Sequence, residues 1–247
     1  MRGMKRKGPY SRTLRRAPSP NPVAKHLPNA RQPLSVHTQV YDSVSKAVQR
    51  FRIFVDMHRF AAGGARTPSL LYLASPSGSD SVWFQNAIDA GQLPTSTRLV
   101  AVNDGDVATT AATKNVVVRS HTTMEHVLKT TTETFSHVWL DLTCTELTAA
   151  LLWRVGSVLE DSVGRDCVYI TLSKRCRTFD TQLAATGAVC DALAFKITHV
   201  EDYTGAGKAT TASQKRNMVF FVCSDVANAP RCQREFDPNM EAVGGLV

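Results

Sequence analysis

The sequence predicts an α/β domain with a mainly parallel sheet, behind an introductory helix and a basic arm, and three observations predict it. Between residues 68 and 225 short apolar runs alternate with helical stretches, the pattern of repeated βαβ units. The last two runs, near 195–200 and 218–223, have only a polar loop rich in Gly, Ala, Thr and Ser between them, which predicts a closing antiparallel hairpin. The positive charge is segregated into the first 34 residues, outside the patterned region.

Each element follows from local pattern. Val36, Val40, Val44, Val48, Phe51 and Val55 recur at spacings of three and four, so residues 36–61 read as a helix with these side chains on its apolar face. Gly63 and Gly64 stop it. The run LLYLA at 70–74 is the first strand, and Pro76, Ser77 and Gly78 turn the chain into a helix over 80–90 that Gly91 closes. Strands follow at 98–102 and 115–119. A helix over 122–132 has Met124, Val127 and Leu128 inward. A strand at 136–142 (SHVWLDL), a helix over 145–159, a strand at 167–172 and a helix near 179–190 complete the alternation before the hairpin.

Composition bounds the function classes. At 43% hydrophobic and 20% charged, the chain is an ordinary globular one, and no apolar run approaches the 18 residues of a membrane span. Six cysteines contain no CxxC pair, so the common zinc spacings are missing; they read as reduced, which implies an intracellular setting. The seven histidines have no ligand spacing, and no metal site is expected. The stretch Gly205-Ala206-Gly207-Lys208-Ala209-Thr210 lacks the first glycine and the hydroxyl residue that a phosphate loop needs. No GxGxxG follows the first strand, which weighs against a dinucleotide-dependent oxidoreductase.

The introductory helix, five αβ-type strands and terminal hairpin together resemble the class I S-adenosylmethionine-dependent methyltransferases, over about residues 36–224. The resemblance implies a three-layer Rossmann-like sandwich with a mainly parallel seven-stranded sheet ending in an antiparallel hairpin. It also implies S-adenosylmethionine as cofactor, bound at the carboxyl ends of the strands. In such sheets ligands sit at the topological switch point, so the strand ends are where site residues are sought.

Carried onto this sequence, the resemblance assigns cofactor contacts to Ser75, Ser77, Gly78 and Asp80 after the first strand. Here the family's glycine-rich turn keeps one glycine, and its acidic position is not filled. Asn103 and Asp104 end the second strand, where a carboxylate accepts the cofactor's ribose hydroxyls. Asp141 and Leu142 end the fourth strand, facing both methyl donor and acceptor, and Asp141 is the candidate catalytic carboxylate that orients or deprotonates a nucleophile. Lys174 and Arg175 follow the fifth strand; Lys174 is placed near the acceptor, and both suit a phosphate-bearing substrate. Cys144 is a weak nucleophile candidate. A second arrangement, the Lys-Asp-Lys-Glu set of ribose 2′-O-methyltransferases, finds Lys46, Asp141, Lys174 and Glu201 in that order.

Residues 1–34 carry nine positive charges, among them Lys5, Arg6, Lys7, Arg12, Arg15 and Arg16, and no acid, while the rest of the chain has 20 Lys+Arg against 21 Asp+Glu. Six prolines and little apolar surface predict a disordered arm over 1–34, a domain over 35–225 and a loose tail over 226–247. A cationic arm binds polyanions through counterion release, so DNA or RNA is the expected partner, and a protein assembly is a further one. The same charges also suit a nuclear-localisation signal; a mitochondrial address fits the missing acids but not the prolines. Two functions follow as expectations: a methyltransferase acting on nucleic acid, or a catalytically inactive relative that binds nucleic acid as an assembly component.

Overall fold

The computed structural model describes residues 44–64, 66–107, 114–142, 146–160, 163–174, 177–204 and 217–226. The basic arm, Cys144, Arg175, most of the hairpin loop and the tail lie outside these residues. The elements run α1 (Val44–Ala62), β1 (Ser69–Leu73), α2 (Ser79–Asp89), β2 (Arg98–Val102), β3 (Val116–Arg119), α3 (Met124–Thr130), β4 (His137–Asp141), α4 (Ala149–Val158), β5 (Asp166–Ser173), α5 (Phe179–Ala192), β6 (Phe195–Thr204) and β7 (Asn217–Asp225).

The strands form one seven-stranded sheet in the order β3-β2-β1-β4-β5-β7-β6. β1 to β5 pair in parallel, and β7 lies antiparallel between β5 and β6, so the expected hairpin is present. The order reverses at β1, which has β2 on one side and β4 on the other. That reversal is the switch point.

Alternation along each strand splits the core in two. Leu70, Tyr72, Leu99, Trp139, Tyr169 and Phe220 face α1 and α2, meeting Ile53, Met57, Phe84 and Ile88. Leu71, Val100, Val138, Leu140, Ile170 and Phe221 face α3, α4 and α5, meeting Leu128, Leu152, Val155 and Cys190. Three layers result. Threonines start the second group of helices: Thr123, Thr148 and Thr178 each accept a hydrogen bond from the amide three residues on, at 3.2 Å. At the amino end of the sheet, Ser69 and Ser136 exchange backbone-to-hydroxyl bonds of 2.8 and 2.9 Å, fixing β1 against β4.

The orientation of α1 corrects the sequence reading. Val48 and Phe51 are 47% and 58% exposed, although their spacing marked them as inward. The buried face is Lys46, Gln49, Arg50, Ile53, Met57 and Phe60, also at helical spacing. The first turns of α1 pack over the polar carboxyl ends of the strands. There, charged side chains find partners that a valine could not supply.

Candidate functional site at the carboxyl ends of the strands

The connections after β1, β2 and β4 stand side by side, because those strands are neighbours. β1 leads into a serine-lined turn. Ser75 is fully buried, Gly78 takes the left-handed conformation (φ 66°) and donates to Ser75 O at 2.9 Å. The hydroxyls of Ser75, Ser77 and Ser79 lie 3.1 Å from one another. Asp80, 2% exposed, accepts the Ser75 amide at 3.1 Å and Arg50 Nε at 2.7 Å. Thus Asp80 folds back under the turn from the first residues of α2 instead of ending β1. Its carboxylate is engaged by protein.

Asn103 closes β2 against β1. Its Nδ2 donates to Ala74 O at 2.7 Å, and its Oδ1 accepts the Gly105 amide at 2.7 Å. Asp104 beside it is exposed, and among the described residues no group bonds its carboxylate. Of the two residues at this strand end, the amide is structural and the carboxylate is open.

Asp141 is the last residue of β4, in register with Thr171. It forms an ion pair with Lys46 of α1, the side chains being 9% and 6% exposed. Lys46 Nζ also lies 5.1 Å from the centre of the Trp139 ring. Thr171 Oγ1 lies 3.5 Å from Gln49 Oε1. Two buried donors beside this pair, Gln49 Nε2 and Trp139 Nε1, have no acceptor among the described residues. Leu142 spends its amide on Thr171 O at 3.0 Å.

Lys174, just past β5, donates to Asp202 Oδ2 at 2.6 Å. The four-residue arrangement therefore splits. Lys46 meets Asp141, but the partner of Lys174 is Asp202 rather than Glu201. Successive residues of a strand face opposite ways, and Glu201 lies on the α1 side, near Phe51 and Phe220. Arg177 pairs with Glu146, tying the connection after β5 to the one after β4.

Three buried polar groups away from this edge hold structure. His137, beside Phe60 and Tyr169, is kept neutral by burial, which lowers its pKa to about 3. Tyr72 is pushed above the usual phenol range by burial and bonds Ser81 at 2.6 Å. Burial likewise raises Asp56, which accepts Tyr169 OH at 3.1 Å. A concavity of about 500 Å³ lined by Leu128, Thr131, Trp153 and Arg154 lies at the opposite edge, where the strands begin.

Sequence reasoning therefore located Asp141, Asn103 and Asp104 at the ends of the two strands that flank β1, and missed Gln49, Arg50 and Thr171. The available signal was Lys46 and Arg50, two cations one turn apart on a helix face otherwise bearing Ile53 and Met57.

No protein-family model matches the chain, and no curated protein matches it by sequence. Among solved structures, the plantazolicin methyltransferase BamL, crystallised with SAH, superposes with a TM-score of 0.49 at 11% identity, covering 77% of this chain and 90% of that one. A candidate S-adenosylmethionine-dependent methyltransferase from Listeria monocytogenes gives 0.48 at 10% identity, covering 74% and 100%. One from Streptococcus mutans gives 0.45 at 12% identity, covering 70% of this chain and 48% of that one, so this chain spans about half its length. These likenesses are faint, and the strand order itself carries the fold assignment. A parallel β3-β2-β1-β4-β5 core closed by an antiparallel β7 inserted beside β6 is the Rossmann-like fold of the class I methyltransferases.

Proposed function

We propose that this chain transfers a methyl group from S-adenosylmethionine to a nucleic acid, with Asp141 and Lys46 at the reacting centre. The observation that carries the reading is the buried Lys46–Asp141 pair at the end of β4, beside the switch point. Burying two charges costs several kcal/mol per ion before pairing offsets it, and a well-packed apolar pair often serves stability as well. Charges retained at a strand end where ligands bind are therefore read as functional.

The cofactor fits the residues present at its ribose end. Asp104 offers an open carboxylate at the end of β2 for a diol. The β1 turn would pass its methionine end, and Gln49 Nε2 and Trp139 Nε1 would donate to an acceptor on it. When bound, S-adenosylmethionine supplies an electrophilic methyl group on a sulfonium.

The chain's own groups then have distinct tasks. Asp141 orients the acceptor's O–H or N–H and takes its proton as the acceptor attacks. Lys46 holds that carboxylate in place and balances its charge. Lys174, steered by Asp202, lies about 10 Å further along β5 at the strand rise per residue, where it meets the acceptor's phosphate. The Lys46–Asp141 contact favours a ribose hydroxyl as acceptor, since it reproduces half of the Lys-Asp-Lys-Glu set.

A second reading has its own observation. The Ser75, Ser77 and Ser79 hydroxyls satisfy one another, and Asp80 is consumed by Arg50, which suits a retired cofactor turn in a non-catalytic nucleic-acid-binding protein. Calorimetric titration of the full chain with S-adenosylmethionine separates the two. The first reading expects saturable binding that Asp104→Ala abolishes; no heat of binding leaves the second.

A further inference from the structure

We infer that the first two turns of α1, residues 44–50, are a latch that opens to admit the acceptor to Asp141 and closes over it to exclude water. The inference deepens the methyltransferase reading and rests on it. Its basis is an asymmetry within one helix. From residue 53 onward α1 is anchored by apolar side chains: Ile53 and Met57 are 0% exposed and Phe60 6%. Before that point the described buried side chains are all polar, namely Lys46, Gln49 and Arg50, while Ala47 and Val48 face solvent. Spacings of three and four put the polar three on one stripe. Each engages a different part of the strand-end edge. Lys46 pairs with Asp141 of β4. Gln49 Oε1 meets Thr171 Oγ1 of β5 at 3.5 Å. Arg50 reaches the turn after β1, at Asp80 Oδ1 (2.7 Å) and Ser79 Oγ (3.3 Å).

A closure of this kind reverses readily. Apolar burial is lost outright when a contact opens, whereas ionic and amide groups recover hydrogen bonds from water. The closed form also carries a cost of its own. Gln49 Nε2 and Trp139 Nε1 are buried with no acceptor among the described residues, and opening lets water reach both. The hinge falls at Phe51. The next residue, Arg52, is fastened to Asp56 at 3.2 Å and to Asp166 of β5 at 2.7 Å, so the motion stops there.

The proposed reaction needs the motion. In the closed arrangement the side chain of Asp141 is 9% exposed and that of Lys46 6%, too little for an acceptor to approach. Lys46 engages Asp141 through Oδ1, so Oδ2 takes the acceptor's proton once the latch has lifted and returned with Lys46 in place. Closure then completes the catalytic pair and keeps water from the reacting atoms.

Hydrogen–deuterium exchange of the full-length protein, read by mass spectrometry on peptides from 44–52 and 53–62 of α1, tests the latch. In low, non-denaturing urea the first segment is expected to exchange at least about 100-fold faster than the second, at a rate that urea does not change, because it opens locally. S-adenosylhomocysteine, which has no methyl group to give, added together with an oligouridine of about 12 nucleotides should slow the first segment at least about fivefold. Equal exchange of the two segments, rising together with urea, overturns the latch by showing that α1 opens only with the whole fold. Fast exchange of 44–52 that the two ligands leave unchanged also overturns it, since a merely frayed helix end behaves that way. Cofactor binding is measured separately by calorimetry. Binding with equal exchange of the two segments removes the latch and leaves the methyltransferase reading standing; absent binding removes that reading whatever the exchange rates are.

Discussion

Arg50 of α1 donates from Nε to the Asp80 carboxylate of α2 at 2.7 Å, and the two side chains are 6% and 3% exposed. The pair joins two helices and the β1 turn, since Asp80 also holds the Ser75 amide. Replacing Arg50 by Met leaves Asp80 buried and uncompensated. We expect a loss of about 3–5 kcal/mol in urea unfolding, with Asp80→Asn in the same chain recovering part of it. A loss under about 1 kcal/mol would mean that water reaches Asp80.

Asn103 is a sharper probe of the β2 end. Asn103→Asp keeps the acceptor for Gly105 but replaces the donor to Ala74 O with a second acceptor. The expected cost is about 1–3 kcal/mol of stability, with weaker cofactor binding because Asp104 loses its fixed backbone. If Asn103→Asp binds S-adenosylmethionine more tightly, the ribose contact belongs to position 103.

At the proposed reacting centre, Asp141→Asn preserves shape and removes the proton acceptor. Methyl incorporation into RNA should fall about 10²–10⁴-fold while cofactor affinity changes little. Full activity in that variant would place the chemistry elsewhere.

His137 links stability to pH. Its folded pKa, about 3, lies below the ordinary value of 6.5, so the unfolded chain binds the extra proton between those limits. Stability from this group is complete above pH 6.5 and is lost as pH falls towards 3. Asp56, raised by burial, works in the opposite sense just above the carboxylate range. Urea midpoints of His137→Gln and the parent between pH 4 and 7 isolate the histidine: the variant's curve should be flatter.

The thiols of Cys167, Cys190 and Cys223 are buried, with Cys190 and Cys223 sulfurs 3.8 Å apart. The Cys223 thiol is raised by its bond to Cys190 and by burial, which disfavours the reactive thiolate. Alkylation followed by mass spectrometry should leave these three unlabelled until the protein is unfolded. Labelling of Cys223 in the native state would show that the α5–β7 packing opens.

The fold was legible because alternation between period 2 and period 3.6 survives in the sequence, and because the 204–217 loop lacks a helical face. The orientation of α1 was not. Val48 and Phe51 obey the same periodicity as a buried stripe, and only the polar strand ends explain why Lys46 and Arg50 displaced them. Asp141 was legible as a carboxylate ending an apolar run. Its partner came within view only as one of four common residue types, since nothing local joins residues 46 and 141. Glu201 and Asp202 are adjacent, so which of them met Lys174 depended on strand parity at a sheet edge, and the bulge between Ile197 and His199 shifts that parity.

The last strand among the described residues occupies an interior place in the sheet: β7 is hydrogen-bonded to β5 on one side and β6 on the other. Until residues 217–225 leave the ribosome, β5 has an open edge of apolar strand and β6 has nothing to pair with. The nascent chain must therefore hold an incomplete sheet, exposed to aggregation, until β7 has been made.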